Sequence, residues 1–415
     1  SRFVKEGSLV SSVSAAKLLT KKPVVAVGRF TSPDKMAELI KNGSQDLIGA
    51  ARPSIADPFL PIKISEGRIE DIRECIGCNI CYAHDSLGVP IRCTQNPTMG
   101  EEWRFGWHPE KIKKKKSPKR VLVVGAGPSG LEAARVLGEQ GNEVILAEAT
   151  RNLGGRVIKE SNLLGLAEWR RVSDWRITQI NKLSNVEIYR ESELVAKDVT
   201  ELNADFVMIA TGAKWSEDAL GRHSDTGFET VDTNMIIGAE HVLNGEKIDG
   251  DRIVIYDDDH YYIGSVMALE LSRRGHSVVL VTPAGRACSW GEYTDEQVPS
   301  NLALYDANVK VITNKTIINV ARGVAEAKCI YSSESISIKC DGVIPLTRRI
   351  PSVQLYNSLI KMVDNSKKHS IIKIGDADAP SHIAGAVYSG YRNAIECGAN
   401  FSSSEFYGKR ENELI

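Results

Sequence analysis

The sequence lacks the features that mark membrane proteins and nucleic-acid-binding proteins. No apolar run approaches the roughly 20 residues that a membrane-spanning helix needs, and the first residues have no apolar core typical of a signal peptide. The formal net charge of −1 provides no global field that would attract nucleic acid or an anionic membrane. We therefore expect a cytoplasmic protein with no nucleic-acid partner and no membrane partner.

An initiator methionine is also absent, which suggests a fragment of a longer polypeptide. The 415 residues are enough for two to four domains of about 150 residues each. The apolar content of 42% and the charged content of 25% are typical of globular proteins. The composition therefore predicts a globular chain with several domains.

Four of the eight cysteines lie close together, in the pattern C-x2-C-x2-C-x11-C formed by Cys75, Cys78, Cys81 and Cys93. Clustered cysteines in a large chain without an export signal favour a metal site over disulfides. Three cysteines at x2 intervals, closed by a fourth, are typical of a 4Fe-4S cluster. Zinc is the alternative, although zinc sites usually pair two separate C-x2-C knuckles.

Two strand–helix steps precede the cysteines. The apolar run Val24–Val27 ends at Gly28-Arg29, and a second run, Asp46–Ala51, ends at Arg52. Small residues followed by arginine at strand ends suit a bound phosphate, as at the end of a (β/α)8 barrel. A complete barrel needs about 250 residues, and only 74 precede Cys75. Either most of the barrel lies outside this chain, or the segment is a short βαβ appendage.

A glycine-rich turn follows the buried strand Val121–Val124. Its motif is Gly125-x-Gly127-x-x-Gly130, it opens a helix, and Glu148 ends the next strand. This context predicts a dinucleotide-type site, with the pyrophosphate at the helix N-terminus and the ribose hydroxyls on Glu148. The carboxylate of Glu148 disfavours a nucleotide whose ribose carries a 2′-phosphate. The alternative is a tight turn without a ligand.

A second α/β unit begins at Arg252 and lacks the corresponding glycines. The residues after its first strand run from Asp257 to Tyr262 and include three aspartates and two tyrosines. These carboxylates would repel a pyrophosphate, so we expect no NAD(P)H there; the alternative is a noncanonical pocket that still binds a nucleotide. Divalent-metal binding is an alternative for them, but we expect them to cap the helix and to be solvated.

Several runs together resemble the trimethylamine dehydrogenase family. They are Gly28-Arg29, Gly49 to Pro53, Arg73 to Cys81, Cys93 to Pro97, Gly106 to Glu110 and Gly375 to Pro380. The resemblance implies an α/β chain containing the end of a (β/α)8 barrel, an iron–sulfur segment and two Rossmann-like domains similar to those of glutathione reductase. The expected ranges are 1–72 for the barrel end, 73–112 for the cluster segment, 113–240 with 345–415 for the nucleotide-binding domain, and 241–344 for an inserted NAD-like domain.

The same resemblance implies the cofactors and their ligands. A 4Fe-4S cluster is expected on the four cysteines, and ADP, with FAD as the alternative, on Gly125, Gly127, Gly130 and Glu148. The phosphate of FMN is expected at Gly28, Arg29, Ala51 and Arg52, with the rest of the FMN site on a barrel portion that is missing here.

The implied function is that of an amine dehydrogenase acting on an N-methylamine-type substrate. Electrons would pass from FMN through the cluster to an electron-transferring flavoprotein. The expected partners are the missing barrel portion, on the same polypeptide or a separate chain, the electron acceptor, and further copies in a homo-oligomer. The alternatives are an NAD(P)H-dependent flavin reductase of the 2,4-dienoyl-CoA reductase type and a non-catalytic electron-transfer or ADP-binding module.

Overall fold

The structure, a computed structural model, describes residues 2–104 and 107–398. Gly106, which belongs to one of the runs that carry the resemblance, and residues 399–415 of the expected nucleotide-binding domain lie outside the described residues. None of the described helices has the length and apolar character that crossing a lipid bilayer demands.

Helices and strands alternate along most of the described chain. The helices are α1 (Val10–Lys17), α2 (Pro33–Lys41), α3 (Ala51–Ala56), α4 (Leu60–Ser65), α5 (Ile80–Ser86), α6 (Pro128–Glu139), α7 (Arg156–Ser161), α8 (Arg171–Ile180), α9 (Ala196–Glu201), α10 (Ala239–Leu243), α11 (Tyr262–Arg273), α12 (Gln297–Asp306), α13 (Gln354–Met362) and α14 (Ile383–Glu396).

The strands of the first half of the chain are β1 (Val25–Val27), β2 (Leu47–Gly49), β3 (Arg120–Val124), β4 (Glu143–Ala147), β5 (Val186–Tyr189), β6 (Phe206–Ile209), β7 (Ala213–Trp215) and β8 (Thr230–Val231). Those of the second half are β9 (Arg252–Asp257), β10 (Ser277–Val281), β11 (Lys310–Ile312), β12 (Lys315–Ala321), β13 (Val324–Cys329), β14 (Ser335–Lys339), β15 (Gly342–Leu346), β16 (Arg349–Pro351) and β17 (Ile371–Lys373).

The chain divides into two compact units. One contains Lys159–Ala167 and Ala213–Ser352, and the other contains the described residues of 2–158, 168–212 and 353–398. The division at 241 and 344 expected from the sequence stays a prediction.

The larger unit is built around a five-stranded parallel sheet with the order β17-β6-β3-β4-β5. Successive residues of β3 point to opposite faces, so Val121 and Val123 join one apolar core while Leu122 and Val124 join another. Burial on both faces is what a parallel sheet covered by helices requires. Helices α6 and α14 pack against each other with residues in the first core, and α9 and α13 contribute to the second.

The same unit contains the two-stranded parallel sheet of β1 and β2. Helix α2 follows β1 and begins as the sequence predicts, with Pro33 in its first turn and the Ser32 hydroxyl accepting from the Lys35 amide at 3.4 Å. Ala26 is buried, whereas Val25 and Val27 on the other face of β1 are 58% and 55% exposed. This short sheet therefore has one packed face and one open apolar face.

The smaller unit contains a four-stranded parallel sheet, β11-β10-β9-β15, and a four-stranded mixed sheet, β14-β13-β12-β8. Strands β9 and β15 are neighbours in the first sheet, so their carboxyl ends meet at one edge. In an open α/β sheet, that edge is where ligands usually bind. The α/β class expected from the sequence is confirmed.

Candidate functional site

The four clustered cysteines meet at one cavity. Cys75, Cys78, Cys81 and Cys93 all line it, together with neighbouring residues of the same segment and with Arg52 and Ile55 of α3. The volume of the cavity is about 300 Å³. Ile76 and Ile80, which also line the cavity, are 2% and 3% exposed. The structure therefore brings together all four residues that the sequence spacing grouped.

Local backbone geometry explains how three cysteines on one short segment reach the same space. Gly77 has a φ of +68° and Asn79 a φ of +56°, both in the left-handed region that glycine and asparagine tolerate best. Helix α5 then begins at Ile80 and carries Cys81. The chain thus curls around the cavity before the helix begins.

The sulfur atoms also have donors around them. The Gly77 amide lies 3.5 Å from Cys75 Sγ, and the Gln95 amide lies 3.4 Å from Cys93 Sγ. The Thr94 hydroxyl lies 3.2 Å from Cys78 Sγ. Hydrogen bonds to sulfur stabilise the negative charge of metal-bound thiolates and tune the potential of iron–sulfur clusters.

Burial makes the thiols of Cys78, Cys81 and Cys93 poor acids in the absence of a cation. It raises the pKa of Cys93 to about 12 and the pKa of Cys78 and Cys81 above the ordinary value. Thiolates are the metal-binding form, and a bound cation supplies the charge that makes deprotonation favourable. The donor set therefore fits an iron–sulfur cluster, with four sulfur ligands around one cavity.

The two arginines expected at the FMN phosphate point their side chains towards the cysteine segment. Arg29 is buried, forms an ion pair with Glu168, and lies 3.1 Å from the position a Cβ would take on Gly77. Arg52 lines the cysteine cavity and donates to Asn79 Oδ1 at 2.5 Å. These guanidinium groups have partners on Glu168 and Asn79, and the contact of Gly28, Arg29, Ala51 and Arg52 with an FMN phosphate stays a prediction.

Each glycine of the Gly125 motif has a distinct steric environment. Gly125 has a φ of +103°, and a Cβ there would overlap the carbonyl oxygen of Ala210. A Cβ on Gly130 would overlap the carbonyl oxygen of Gly125, so helix α6 can approach the loop only without a side chain. A Cβ on Gly127 would meet nothing within 4 Å. Gly127 thus borders open space at the N-terminus of α6, where a pyrophosphate would be stabilised.

Glu148 lies at the end of β4 and holds this loop. Its carboxylate accepts from the Ala126 amide at 2.8 Å, and from the Thr150 amide and hydroxyl at 2.9 and 2.8 Å. The residue expected to bind ribose hydroxyls therefore also fixes the position of the glycine turn. These residues fit an adenosine diphosphate group.

A buried charged network connects α6 to the cysteine segment. Arg176 on α8 donates to Glu132 on α6 at 2.7 Å and to the side-chain and backbone oxygens of Gln95 at 3.0 and 3.1 Å. Glu132 also accepts from Arg135 at 2.5 Å. Although burial favours the neutral acid, the charges of Arg135 and Arg176 hold the pKa of Glu132 below its ordinary value. The network fixes the position of Gln95, whose backbone amide faces Cys93 Sγ.

Families of known proteins match successive parts of the chain. The NADH:flavin oxidoreductase / NADH oxidase family matches residues 3–71. The pyridine nucleotide-disulphide oxidoreductase family matches residues 96–243, and the OYE-like second alpha/beta domain matches residues 237–360.

Individual relatives extend across nearly the whole chain. Dimethylamine dehydrogenase from Hyphomicrobium sp. (strain x) is 39% identical over 409 residues, covering 92% of this chain and 55% of the relative. The structure of histamine dehydrogenase from Rhizobium sp. 4-9 matches with a TM-score of 0.94 and 44% identity, covering 100% of this chain and 61% of that one. The resemblance to the trimethylamine dehydrogenase family expected from the sequence is confirmed over nearly the whole chain.

The expected arrangement of a barrel end followed by Rossmann-like domains is confirmed by these matches. A second structure, 6-hydroxypseudooxynicotine amine oxidase from Pseudomonas geniculata N1, matches with a TM-score of 0.93 and 40% identity, covering 96% of this chain and 60% of that one. This chain thus spans between 55% and 61% of the length of these three relatives.

The expectation that the aspartates at the end of β9 are solvated is wrong for Asp257 and Asp258. Asp257 and Asp258 are fully buried, and the loop that contains His223 covers Asp258 with the amides of Arg222 and His223. Asp258 accepts from the rings of His223 and His260 at 2.7 and 2.8 Å. Sequence reasoning did not single out His223, which lies 35 residues from its partner. The run of aspartates before His260 was the available signal.

Proposed function

We propose that the protein containing this chain is a cytoplasmic iron–sulfur flavoprotein that oxidises an N-methylamine-type substrate and passes the electrons to an electron-transferring flavoprotein. The observation that carries the proposal is the single cavity lined by Cys75, Cys78, Cys81 and Cys93. A 4Fe-4S cluster held there would supply one-electron transfer alongside the two-electron chemistry of FMN. The relatives named dimethylamine dehydrogenase and histamine dehydrogenase support an amine as the substrate class.

The residues of this chain would hold the cluster and control its surroundings. The four thiolates bind it, and the amides of Gly77 and Gln95 stabilise negative charge on sulfur. The guanidinium of Arg52, which lines the same cavity, adds positive charge beside Cys81. These features favour a site that takes up and releases single electrons over a purely structural metal site.

We assign the Gly125 site to ADP, with FAD as the alternative. Gly127 leaves space for a pyrophosphate, and Glu148 lies where ribose hydroxyls would be recognised. In the second α/β unit, the buried carboxylates of Asp257 and Asp258 replace the glycine turn that an NAD(P)H pyrophosphate would need. This replacement favours an amine dehydrogenase over an NAD(P)H-dependent reductase.

The FMN site would be completed by a barrel portion that this chain does not contain. The open face of the β1–β2 sheet exposes Val25, Val27 and Leu47, and two parallel strands alone do not make a stable sheet. In a complete (β/α)8 barrel, further strands cover such a face. The phosphate would then lie at Gly28, Arg29, Ala51 and Arg52. Assembly into a homo-oligomer is part of the same proposal.

Cofactor analysis of the full-length protein tests this proposal. We expect iron and acid-labile sulfide in a ratio near that of one 4Fe-4S cluster, together with FMN and a releasable ADP. Cys75→Ala, Cys78→Ala, Cys81→Ala and Cys93→Ala should each lose iron, whereas Cys329→Ala, outside the cavity, should retain it. Zinc in place of iron would refute the redox assignment.

Anaerobic reduction distinguishes the two enzymatic functions. We expect dimethylamine, trimethylamine, dimethylglycine or histamine to bleach the flavin and then to produce the electron paramagnetic resonance signal of a reduced cluster. NADH and NADPH should leave both spectra unchanged. Rapid bleaching by NAD(P)H, with none by any amine, would select the reductase.

A further inference from the structure

Two histidines and one aspartate lie close together in the smaller unit, far from the cysteines in sequence. His223, Asp258 and His260 each place one donor atom within 4.8 Å of the others. Asp258 and His260 follow β9, and Asp258 and Asp259 donate their amides to the Leu346 carbonyl at the end of β15. The cluster therefore occupies the carboxyl edge of the sheet, where open α/β sheets bind ligands.

Hydrogen bonds to surrounding groups occupy the outer atoms of Asp258 and His260. The remaining atoms, Asp258 Oδ1, His223 Nδ1 and His260 Nε2, face one another. Asp258 Oδ2 accepts from the amides of Arg222 and His223 at 2.6 and 3.0 Å. Asp258 Oδ1 faces His223 Nδ1 and His260 Nε2 at 2.7 and 2.8 Å. His260 Nδ1 lies 3.5 Å from the Thr282 hydroxyl. Carboxylates and imidazoles that bind metals are oriented in this way by partners on their outer atoms.

The charge balance of the cluster calls for a cation. Asp257 and Asp258 are both fully buried, and no lysine or arginine in the described chain forms an ion pair with either. One carboxylate oxygen of Asp257, Oδ2, also has no hydrogen-bond partner. Burying carboxylates without a compensating positive charge is costly. The two imidazoles are the groups placed to supply that charge, either by binding a cation or by being protonated.

We propose that His223 Nδ1, Asp258 Oδ1 and His260 Nε2 bind one divalent transition-metal ion of the zinc type. Two imidazoles with one carboxylate select zinc, nickel or copper over magnesium and calcium, which prefer oxygen ligands. On binding, the ring protons move to the outer nitrogens, so that His260 Nδ1 donates to Thr282. The donor atoms need to separate by only about half an ångström to surround the ion.

The geometry also sets the character of the site. The His223 side chain is 38% exposed, while those of Asp258 and His260 are buried. Three protein ligands leave a fourth position for water or a small ligand on the exposed side. The site depends on none of the cofactors assigned above, and its failure would leave the amine dehydrogenase proposal unaffected.

Zinc titration of the purified holoprotein tests the proposal. After dialysis against a mild chelator, isothermal titration with Zn²⁺ should show one site per chain, and excess Mg²⁺ or Ca²⁺ should not compete. X-ray absorption at the zinc edge should show nitrogen and oxygen ligands only. His223→Gln and His260→Asn should abolish this binding, and asparagine suits the φ of +66° at position 260.

His241→Gln is the matched control, because His241 also faces a carboxylate, that of Glu246 at 2.7 Å, with no second histidine in its pair. It should bind zinc as the parent protein does. Thr282→Val should weaken binding by about tenfold through loss of the outer hydrogen bond. Unchanged zinc binding in His223→Gln, whose side chain is partly exposed, would overturn the proposal, as would sulfur ligands in the absorption spectrum or no stoichiometric binding by the parent protein.

Discussion

The guanidinium of Arg176 donates to both the side-chain oxygen and the backbone oxygen of Gln95, whose amide faces the sulfur of Cys93. Arg176 and its ionic partner Glu132 are both fully buried. Through Glu132, Arg176 ties the cysteine segment to helix α6, which begins next to the Gly125–Gly127 turn.

We therefore expect Arg176→Met to lower the free energy of unfolding by about 3–5 kcal/mol, because it removes one partner of a buried charge pair. The same change should reduce the iron retained, since Gln95 loses its support. Urea unfolding and iron analysis measure the two effects. Arg170→Met, which removes an exposed arginine paired with Asp174, should change the unfolding free energy by no more than about 0.5 kcal/mol. If the two changes lowered the unfolding free energy equally, the buried network would contribute no more to stability than an exposed ion pair does.

Some parts of the candidate site could be predicted from the sequence because their determinants are local. The spacing of the cysteines grouped them at one cavity, and the three glycines have the turn, open-space and packing environments that their motif indicates. In each case, a few consecutive residues dictate the backbone path. Short-range patterns of this kind can be recognised in a sequence without knowledge of the tertiary structure.

The charged contacts could not be predicted, because they join distant positions with no periodic signal. Arg176 lies 44 residues from Glu132 and 81 from Gln95. The burial of Asp258 depends on amides from a loop about 35 residues earlier in the chain. A charged side chain is assigned to solvent by default, and only tertiary packing reverses that assignment.

Two glycine substitutions should separate nucleotide binding from folding. Gly127→Ala places its methyl group in open space at backbone angles that alanine adopts, so the free energy of unfolding without nucleotide should change by less than about 0.5 kcal/mol. The bound nucleotide released by acid should nevertheless fall sharply. Gly130→Ala should cost about 2 kcal/mol or more, because its methyl group overlaps the Gly125 carbonyl. Full nucleotide content in Gly127→Ala would place the ligand elsewhere.

His382 should make the stability of the larger unit depend on pH. Its Nδ1 accepts from the Gly385 amide at 2.9 Å and caps helix α14, which requires an unprotonated nitrogen. Burial, followed by the nearby His84, lowers the pKa of His382 to about 4. Because the unfolded chain binds this proton more readily, the stability is complete above about pH 6.5 and is lost as the pH falls towards 4.

The matching variant is His382→Asn, which can still cap the helix but cannot titrate in this range. Between about pH 7 and pH 4.5, the parent protein should lose about 2 kcal/mol more unfolding free energy than this variant. Denaturant unfolding at the two pH values measures the difference. His369→Asn, at an exposed histidine, should leave the dependence of the unfolding free energy on pH as it is in the parent protein. If the unfolding free energy of His382→Asn and that of the parent protein depended on pH in the same way, His382 would not be the group responsible.

The open face of β1 should behave differently in the chain alone and in the full-length protein. Val25 and Val27 are more than half exposed here, and Val25 pairs with Leu47, which is 54% exposed. If further barrel strands cover this face, Val25→Asp should destabilise the full-length protein by about 3 kcal/mol or more, because it buries an unpaired charge. In the isolated chain it should leave stability nearly unchanged and improve solubility. Val298→Asp, at a residue 72% exposed on α12, should be close to neutral in both. A neutral Val25→Asp in the full-length protein would mean that this face stays in water, and the barrel assignment would then be wrong.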